Sequence, residues 1–461
     1  MKKYTYHISL FSLLLVMSAC SKQLDLKPEG TMVESELLKN QQTTEGYLGS
    51  TYLSMMEAVA SDNYLVGDVT AGVATTFDQN IIKGTMDPRD DRYSAIWSLP
   101  YATINQCNVI ISQLPKYGQF DKNKQAVFIA EARFIRAYCY MALLRLYGDG
   151  ALENKPENMG VPLRLESFDG YDGSQDVPRA ANGEVYTQIL KDLDAAIPDL
   201  PANRGDALSQ GSRATKGAAN ALAARVCLYS HAYDKAVTYA QAALTGNVYH
   251  LQPTFWDLWP DNYVSSQGSY PISSEILFAF PESFNKTSRY NDNNGIYYVY
   301  GFSEPIPDFL NTYTVGDERR DSLMLFHDPI MRKFTDQNIR DNVPMIRLPE
   351  VMLTLAEAMA QTKGVNATSV DLLNQVFARA YTKNGPPKVY TTADFATPAA
   401  LVTRILQERR WELAFEGFAR YDAIRSGQAP NPQLPANRYA WPIPQHEIDI
   451  TKGLIKQNPG Y

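Results

Sequence analysis

The sequence predicts a mainly α-helical protein, in which tetratricopeptide-like helix pairs form a scaffold that carries a large, irregular, loop-rich insertion. Three observations support this fold class. Apolar residues recur at three- and four-residue steps through most of residues 40–246 and 346–426. Two segments within that pattern are typical of short antiparallel helix pairs. Residues 247–345 break the pattern, because turn-forming residues are frequent there and no long helical period is visible.

The chain begins with the features of a secretory signal peptide. Two lysines precede an apolar run at 8–17, which is too short for the ~20 residues of a membrane span. The small residues before Cys20 also resemble a bacterial lipoprotein processing site, although Met17 stands where that pattern usually has Leu. We predict that residues 1–19 are removed and that Cys20 carries lipid. An ordinary signal peptide beside an unrelated Cys is the alternative.

Long helices are expected in the first half of the chain. Helical periodicity marks the segments 43–58, 96–114, 124–149 and 182–201. The segment 124–149 is apolar on nearly every side, so it should pack on more than one face. Asn182 is the expected N-cap of the last segment, and two prolines mark its end.

Two later segments predict helix pairs. Residues 213–246 are interpreted as two short helices with a break near His231–Tyr233, and small alanines on both let them approach closely. Residues 347–364 and 367–381 form the second predicted pair. Three cysteines lie in helix-like apolar segments without metal or CxxC spacing, and we predict buried free thiols at Cys107, Cys139 and Cys227.

Two irregular segments interrupt the helices, at about 61–90 and 247–345. Aromatic residues make up 13 of the 52 residues in 249–300, against 11% of the whole chain. Phe278 and Phe280, in a strand-like run, are expected to form local core. The remaining rings suit a binding site, because flat aromatic faces lie well against the C–H faces of sugars. A long irregular insertion in a helical scaffold is typically functional.

Charge and motif content exclude several classes of function. The formal net charge is −7, the pI is near 5.4 and no basic cluster is present, which excludes a nucleic-acid partner. The chain has no GxSxG, no HExxH, no phosphate loop and no GxGxxG that opens a helix. No histidine has a neighbour at metal-ligand spacing. A glycosidase needs only two carboxylates across a sugar ring, so that class stays open.

The stretch QERRWELAFEGFARYDAIRSG, residues 407–427, combines acids with aromatic residues. Its carboxylates recur every four residues and would share one face of a helix: Glu408, Glu412 and Glu416. The interleaved apolar residues predict burial, and buried charges must be paired. We predict a structural role, with Glu416 paired to Arg420 and the acid row paired to the helix at 124–149 through Arg133 or Arg136.

These segments, in this order and at these intervals, resemble the SusD/RagB family of nutrient-binding outer-membrane lipoproteins of Bacteroidetes. The resemblance covers nearly the whole chain. It depends on the lipoprotein start, on AEARFIRAYCYMALLRLYGD followed by GVPL, and on ANALAARVCLYSHAYDKAVTYAQAAL. It also depends on IRLPEVMLTLAEAMA with LLNQVFARA, on ERRWELAFEGFARYDAIRSG, and on the closing WPIPQHEID and QNPGY.

The resemblance implies one SusD-like domain at 20–461, with about four tetratricopeptide-like pairs and variable ligand-binding insertions. It implies a protein that is not an enzyme, uses no cofactor and is lipid-anchored on the outer surface of the outer membrane. It further implies a lid on a SusC-like TonB-dependent transporter that presents glycan for import. Two alternatives stay open: a protein-interaction scaffold without direct sugar binding, and binding of another nutrient such as peptide.

The ligand-binding residues are the part of the chain that the resemblance identifies least well, because they vary most within such a family. The candidates in the two insertions are polar or aromatic residues: Tyr64, Asp78, Asn80, Trp256, Trp259, Tyr290 and Tyr298. Trp97 begins a predicted helix and is expected to pack in the core instead.

Overall fold

The computed structural model describes residues 34–59, 66–76, 78–168, 170, 173–258, 272–281, 306–321, 333, 342–383 and 385–461. These residues form mostly helices, together with two sheets of two strands each. The mainly α fold class is therefore confirmed.

Long helices, together with the short helices α1 and α3, build the first half of the molecule. In chain order they are α1 Glu34–Leu37, α2 Gln41–Val59, α3 Gln79–Lys83, α4 Asp91–Tyr117, α5 Lys122–Tyr147 and α6 Asn182–Ala196. The Asp121 side chain accepts a hydrogen bond from the Lys124 amide and caps the start of α5. α5 packs against α2, α4 and α6. Its last two turns are buried on every side, as the all-round apolar pattern predicted.

The expected cap at Asn182 is wrong. Asn182 is the first residue of α6, and its side-chain amide donates to the carbonyls of Asp149 and Lys155 at 2.7 and 2.9 Å. A side chain that is bonded to the preceding loop in this way fixes that loop instead of the helix start.

Shorter helices build the second half. They are α7 Ala207–Ser212, α8 Lys216–Tyr229, α9 Tyr233–Ala243, α10 Pro307–Leu310, α11 Glu318–Asp321, α12 Leu348–Lys363, α13 Ala367–Ala378, α14 Pro398–Glu412, α15 Ala419–Arg425 and α16 Gln445–Ile450. α8 packs against α9, and α12 against α13, so both predicted pairs are confirmed. The α8–α9 break includes His231 at φ 58°, and the fully buried Ala236 and Ala240 allow close approach.

Two antiparallel strand pairs complete the fold. β1 Met159–Pro162 pairs with β2 Arg179–Ala181, and β3 Ile276–Phe280 pairs with β4 Val343–Arg347. Every residue of β3 and β4 is buried. Phe278 and Phe280 are 0% and 3% exposed, which confirms them as core, and the Phe278 ring lies 5.2 Å from that of Phe134 on α5. This sheet joins the two ends of the 247–345 insertion.

The predicted free thiols are confirmed. Cys107, Cys139 and Cys227 are buried and unpaired. Burial raises the pKa of Cys227 to about 12, so the thiol stays protonated and unreactive at neutral pH.

Helix α4 separates two ends of the molecule. At its C-terminal end the Gln119 amide donates to the carbonyl of Lys39, which follows α1. At its N-terminal end the Gln445 amide donates to the carbonyl of Pro88. A 27-residue helix spans ~40 Å. No helix in the part of the chain that the structure describes has the length and apolar character of a membrane span.

Candidate ligand-binding region

The acid row is divided between a helix and a turn. α14 ends at Glu412, and residues 413–418, here called the 413–418 turn, contain left-handed conformations at Phe415 (φ 63°) and Gly417 (φ 78°). Glu416 therefore does not continue the helical register. The predicted pair with Arg420 is wrong, because that guanidinium donates to the carbonyl of Tyr439 instead.

A group of buried charges surrounds Glu412, and we call it the charge cluster. Its members are the cations Arg319, Lys333, Arg347, Arg379 and Arg404 and the acids Glu275, Asp317, Glu408, Glu412 and Glu416. All are buried except Arg404, which is partly exposed. Buried acids with this many cationic partners form a structural network.

Arg347 is the central cation of the charge cluster. Its guanidinium lies 2.6 Å from Glu412, 2.7 Å from Glu416 and 3.1 Å from Glu275. Arg379 pairs with Glu275 at 2.5 Å and also contacts the Glu412 carboxylate. Glu275, Glu412 and Glu416 are therefore each contacted by at least two cations. Multiple contacts of this kind offset the cost of removing the carboxylates from water.

Two further cations complete the cluster. Arg319 binds Glu408 at 2.5 Å, Asp317 at 2.7 Å and Glu412 at 3.0 Å. The Lys333 ammonium lies 2.7 Å from Glu416 and donates to the carbonyl of Glu412 at 3.1 Å. Burial lowers the pKa of Lys333, and Glu416 opposes that shift.

The electrostatics of the cluster are clearest at Glu412. Burial by itself would raise the pKa of this carboxyl, but the guanidiniums of Arg379, Arg347 and Arg319 outweigh burial and hold the pKa well below its usual value. Glu412 is therefore ionised at neutral pH. It serves as a fixed anion and is unsuited to donate a proton in catalysis.

The charge cluster fastens the larger insertion to the helical scaffold. Glu275, Asp317, Arg319 and Lys333 all come from the 247–345 insertion. The other six members follow it in sequence, on β4, directly after α13, on α14 and in the 413–418 turn. The prediction that the acids are buried and paired is confirmed.

The predicted partners on α5 are wrong. Arg136 pairs with Asp192 on α6, with its two contacts at 2.9 and 2.5 Å, and Arg133 reaches the carbonyl of Ala195. Both arginines contact α6, and the structure shows neither of them bonded to the acid row. Spacing along one helix does not show which neighbour its charges meet.

The 413–418 turn also holds the smaller insertion. The buried Asp68 accepts a hydrogen bond from the Gly417 amide at 2.8 Å. A Cβ atom on Gly67 would lie 2.1 Å from the Gly417 carbonyl oxygen, so only glycine permits this approach. Arg410 donates to the carbonyl of Ala71 at 2.9 Å, and Asn431 to that of Thr70 at 2.6 Å.

The described parts of the two insertions meet beside this turn. The Ile306 amide donates to the Val73 carbonyl at 3.0 Å. The Arg410 guanidinium, already bonded to the smaller insertion, lies 5.4 Å from the ring of Phe309 in the larger one. We call this contact the insertion junction. It places the two irregular segments next to each other on a rigid base.

Of the candidate residues, Asp78 has a well-defined position. Its carboxylate caps α3 through the Asn80 amide at 3.0 Å and accepts a hydrogen bond from the Tyr93 hydroxyl at 2.5 Å. The exposed Arg92 is 3.5 Å away. Burial, followed by the bond to Asp78, raises the pKa of Tyr93. Asn80 is exposed, and its side-chain oxygen accepts from Thr85 at 2.9 Å. Both candidates lie on the surface of the smaller insertion.

Trp256 lies in a 3-10 helix, Phe255–Leu258. Its neighbour Phe255 is 1% exposed, and its ring faces Lys333 at 5.3 Å and Arg379 at 5.9 Å. The backbone that carries Trp256 is therefore anchored directly on the charge cluster.

The other predicted features lie elsewhere. Cys20, Tyr64, Trp259, Tyr290, Tyr298 and the strand-like run at 295–300 lie outside the described residues. Trp97 is 1% exposed and contacts the ring of Tyr147 at 4.9 Å, which confirms that it packs.

Sequence reasoning missed the residues that anchor the insertions. Tyr93, Asp68 and Arg410 carry no motif, because each works through contacts with another segment of the chain. The run GDERRD, which includes Arg319, offered the one available signal: a dense group of charges inside an otherwise aromatic insertion. Within the described residues, no group of three His, Cys, Asp or Glu side chains is placed to hold a metal ion.

Comparison with known proteins identifies the family to which this chain belongs. Residues 22–228 match a family model described as "Starch-binding associating with outer membrane", and residues 324–433 match the model of the SusD family. The chain belongs to the SusD family. SusD-like proteins P2 and P38 of Formosa agariphila are 25% and 22% identical to it over 100% of both chains.

Solved structures of SusD proteins share the fold. A SusD superfamily protein from Bacteroides thetaiotaomicron, 24% identical, gives a TM-score of 0.77 over 91% of this chain and 99% of its own. A SusD-like carbohydrate binding protein from Bacteroides vulgatus, 20% identical, gives 0.69 over 84% and 83%. At these identities the likeness establishes the fold of this SusD protein.

Replacing Glu412 with Gln tests the charge cluster. We expect Glu412→Gln to lower the free energy of unfolding by about 3–5 kcal/mol, because three buried guanidiniums lose their shared anion. Denaturant unfolding measures the change. Glu57→Gln, on the exposed face of α2, is the control and should stay within about 0.5 kcal/mol. An unchanged midpoint for Glu412→Gln would show that the cluster does not stabilise the fold.

Acid should weaken the same network. The folded pKa of Glu412 lies below its ordinary value of 4.5, so its contribution is complete above that pH and is lost as the pH falls below it. We expect the free energy of unfolding to drop between about pH 5 and pH 3, and to drop less in Glu412→Gln. Parallel pH profiles for the two proteins would contradict this assignment.

Proposed function

We propose that this SusD protein is a cell-surface lipoprotein that binds saccharide and delivers it to a SusC-like TonB-dependent transporter in the outer membrane. One observation carries the proposal: two irregular, polar and aromatic insertions of a SusD scaffold meet at the insertion junction above a buried charge cluster. In this proposal the insertions bind the ligand, and no covalent bond of the ligand is made or broken.

The rigidity of the base supports saccharide binding. Sugars offer many hydroxyl groups and shallow apolar faces, so affinity depends on keeping rings and polar groups in place before the ligand arrives. The buried Phe255 ring packs against two cations, and Asp68 is hydrogen-bonded to the 413–418 turn. Side chains borne on these segments would lose little conformational entropy on binding.

The position of the chain start supports a lipid anchor. Cys20, the proposed lipid-bearing residue, precedes the first described residue, Glu34, by 14 residues. Helix α1 packs near the C-terminal end of α4, whereas Asp78 lies near its N-terminal end, ~40 Å away. A tether at one end and a candidate ligand surface at the other would let the protein pivot at the membrane while it holds its ligand.

A glycan panel tests the function. We expect the protein that lacks residues 1–19 to be retarded in affinity gels that contain at least one plant, host or microbial polysaccharide. Calorimetry with oligosaccharides from that polymer should give a binding isotherm, and chromatography should show the saccharide unchanged. Released fragments would indicate a glycosidase. No retardation on any polymer would contradict saccharide binding and favour an interaction scaffold or a peptide ligand.

Trp256 and Phe255 provide a matched pair of substitutions. We expect Trp256→Ala to weaken saccharide binding about tenfold or more, which is about 1.4 kcal/mol, without lowering the melting temperature. Phe255→Ala should lower the melting temperature, because it removes a buried ring that packs against the charge cluster. Calorimetry and thermal unfolding measure the two effects. A large thermal shift in Trp256→Ala would show that this ring belongs to the core.

A further inference from the structure

A separate cleft lies between the start of α7 and the segment that enters β3. Its cavity volume is about 320 Å³. Its walls include Asn203, Asp206, Tyr249, Ile272 and Ser273. None of its lining residues belongs to the smaller insertion, the 413–418 turn or the charge cluster. Its size is in the range of small-molecule sites in proteins.

One wall of the cleft is an aromatic ring held from two directions. The Tyr249 hydroxyl lies 2.8 Å from the Thr215 hydroxyl and accepts a hydrogen bond from the Gln210 side chain at 2.9 Å. A Cβ atom on Gly217 would lie 2.5 Å from the Tyr249 ring, so the ring packs directly on the α8 backbone. A ring fixed in this way offers a flat wall at little entropic cost.

Another part of the lining carries hydroxyl groups in a fixed arrangement. The Gln252 side-chain amide donates to Ser273 at 2.6 Å and to Ser274 at 3.1 Å. Beneath them, a Cβ atom on Gly211 would lie 2.3 Å from Ile272, so α7 and this segment are in close contact. The cleft thus combines an aromatic ring, apolar Ile272 and two oriented serines.

Charge limits the ligand class. Among the described residues that line the cleft, Asp206 is the one charged side chain. It accepts a hydrogen bond from the Ser209 amide at 2.8 Å, and such bonds lower its pKa, so it is ionised at neutral pH. A single carboxylate repels anions but accepts hydrogen bonds from hydroxyl groups. The walls therefore suit a neutral, hydroxyl-rich molecule.

We infer that this cleft is a second saccharide subsite, which takes a short stretch of neutral glycan. The inference rests on the proposed saccharide function and adds a binding place that shares no described lining residue with the insertion junction. Two contact points on one chain would hold a polymer more tightly than either alone, because the second contact is made at high effective concentration.

NMR signals of isoleucine methyl groups distinguish binding in the cleft from binding at the insertion junction in one experiment. Ile272 and Ile276 line the cleft, whereas Ile81 and Ile306 report on the smaller insertion and the insertion junction. The protein without residues 1–19, labelled at isoleucine methyls, is titrated with maltohexaose, cellohexaose, xylohexaose and mannohexaose. We expect at least one of them to shift the Ile272 and Ile276 signals.

A filled cleft provides the decisive comparison. Ala207 is exposed at the start of α7 and lines the cleft, so Ala207→Trp should fill its mouth. Leu208→Trp, at a neighbouring position that is 49% exposed and does not line it, is the control. We expect Ala207→Trp to abolish the Ile272 and Ile276 shifts, to preserve those of Ile81 and Ile306, and to leave the melting temperature unchanged. Leu208→Trp should preserve all four.

Each other outcome has a defined meaning. If only Ile81 and Ile306 shift in the unmodified protein, or if Ala207→Trp preserves the cleft shifts, the subsite is overturned and the proposed function stands. If only the cleft signals shift and Ala207→Trp removes them, the subsite is supported and the placement at the insertion junction is overturned. If no hexaose shifts any of the four signals, both are overturned for neutral glycans.

Discussion

The burial of Glu412 among three arginines is the constraint on which the rest of this structure depends. Removing a charge from water costs several kcal/mol per ion, and the cost is offset only when partners meet it in good geometry. Here the partners of Glu412 come from segments as far apart as Arg319 and Arg379, and Arg347 also binds Glu275 and Glu416. The network is therefore stable only when the larger insertion, the β3–β4 sheet and α14 are all in place.

Directional bonds have this importance because the helices and strands described within the insertions are short, at four or five residues each. A helix pair such as α8–α9 is positioned by an apolar stripe that any suitable neighbour could cover. An irregular segment has no such stripe, so its position has to be fixed by specific contacts. Arg319 and Lys333 supply them for the larger insertion, and Asp68 supplies one for the smaller. All three contacts converge on α14 and the 413–418 turn.

This division of labour separates the residues that keep the fold from those on the exposed faces. Relatives that are 20–24% identical to this chain keep the fold, with TM-scores of 0.69 and 0.77. A scaffold and anchor that are complete beneath the surface leave the exposed faces of the insertions free to change without loss of stability. Asp78 and Asn80 lie on such a face, and the cleft beside Tyr249 lies on another.

The sequence by itself determined the local and periodic features: the helix pairs, the buried thiols, the Phe278 strand, the core position of Trp97 and the need for buried acids to be paired. These follow from spacing along the chain, which short-range geometry converts directly into helix faces and strand alternation. Only the tertiary structure decided the partners of the acids. Arg133 and Arg136 were as plausible as Arg319 and Arg347 until α5 was seen to face α6. The end of α14 at Glu412 and the junction of Val73 with Ile306 were equally hidden, because contacts between distant segments depend on how the whole chain packs and leave no period in the sequence.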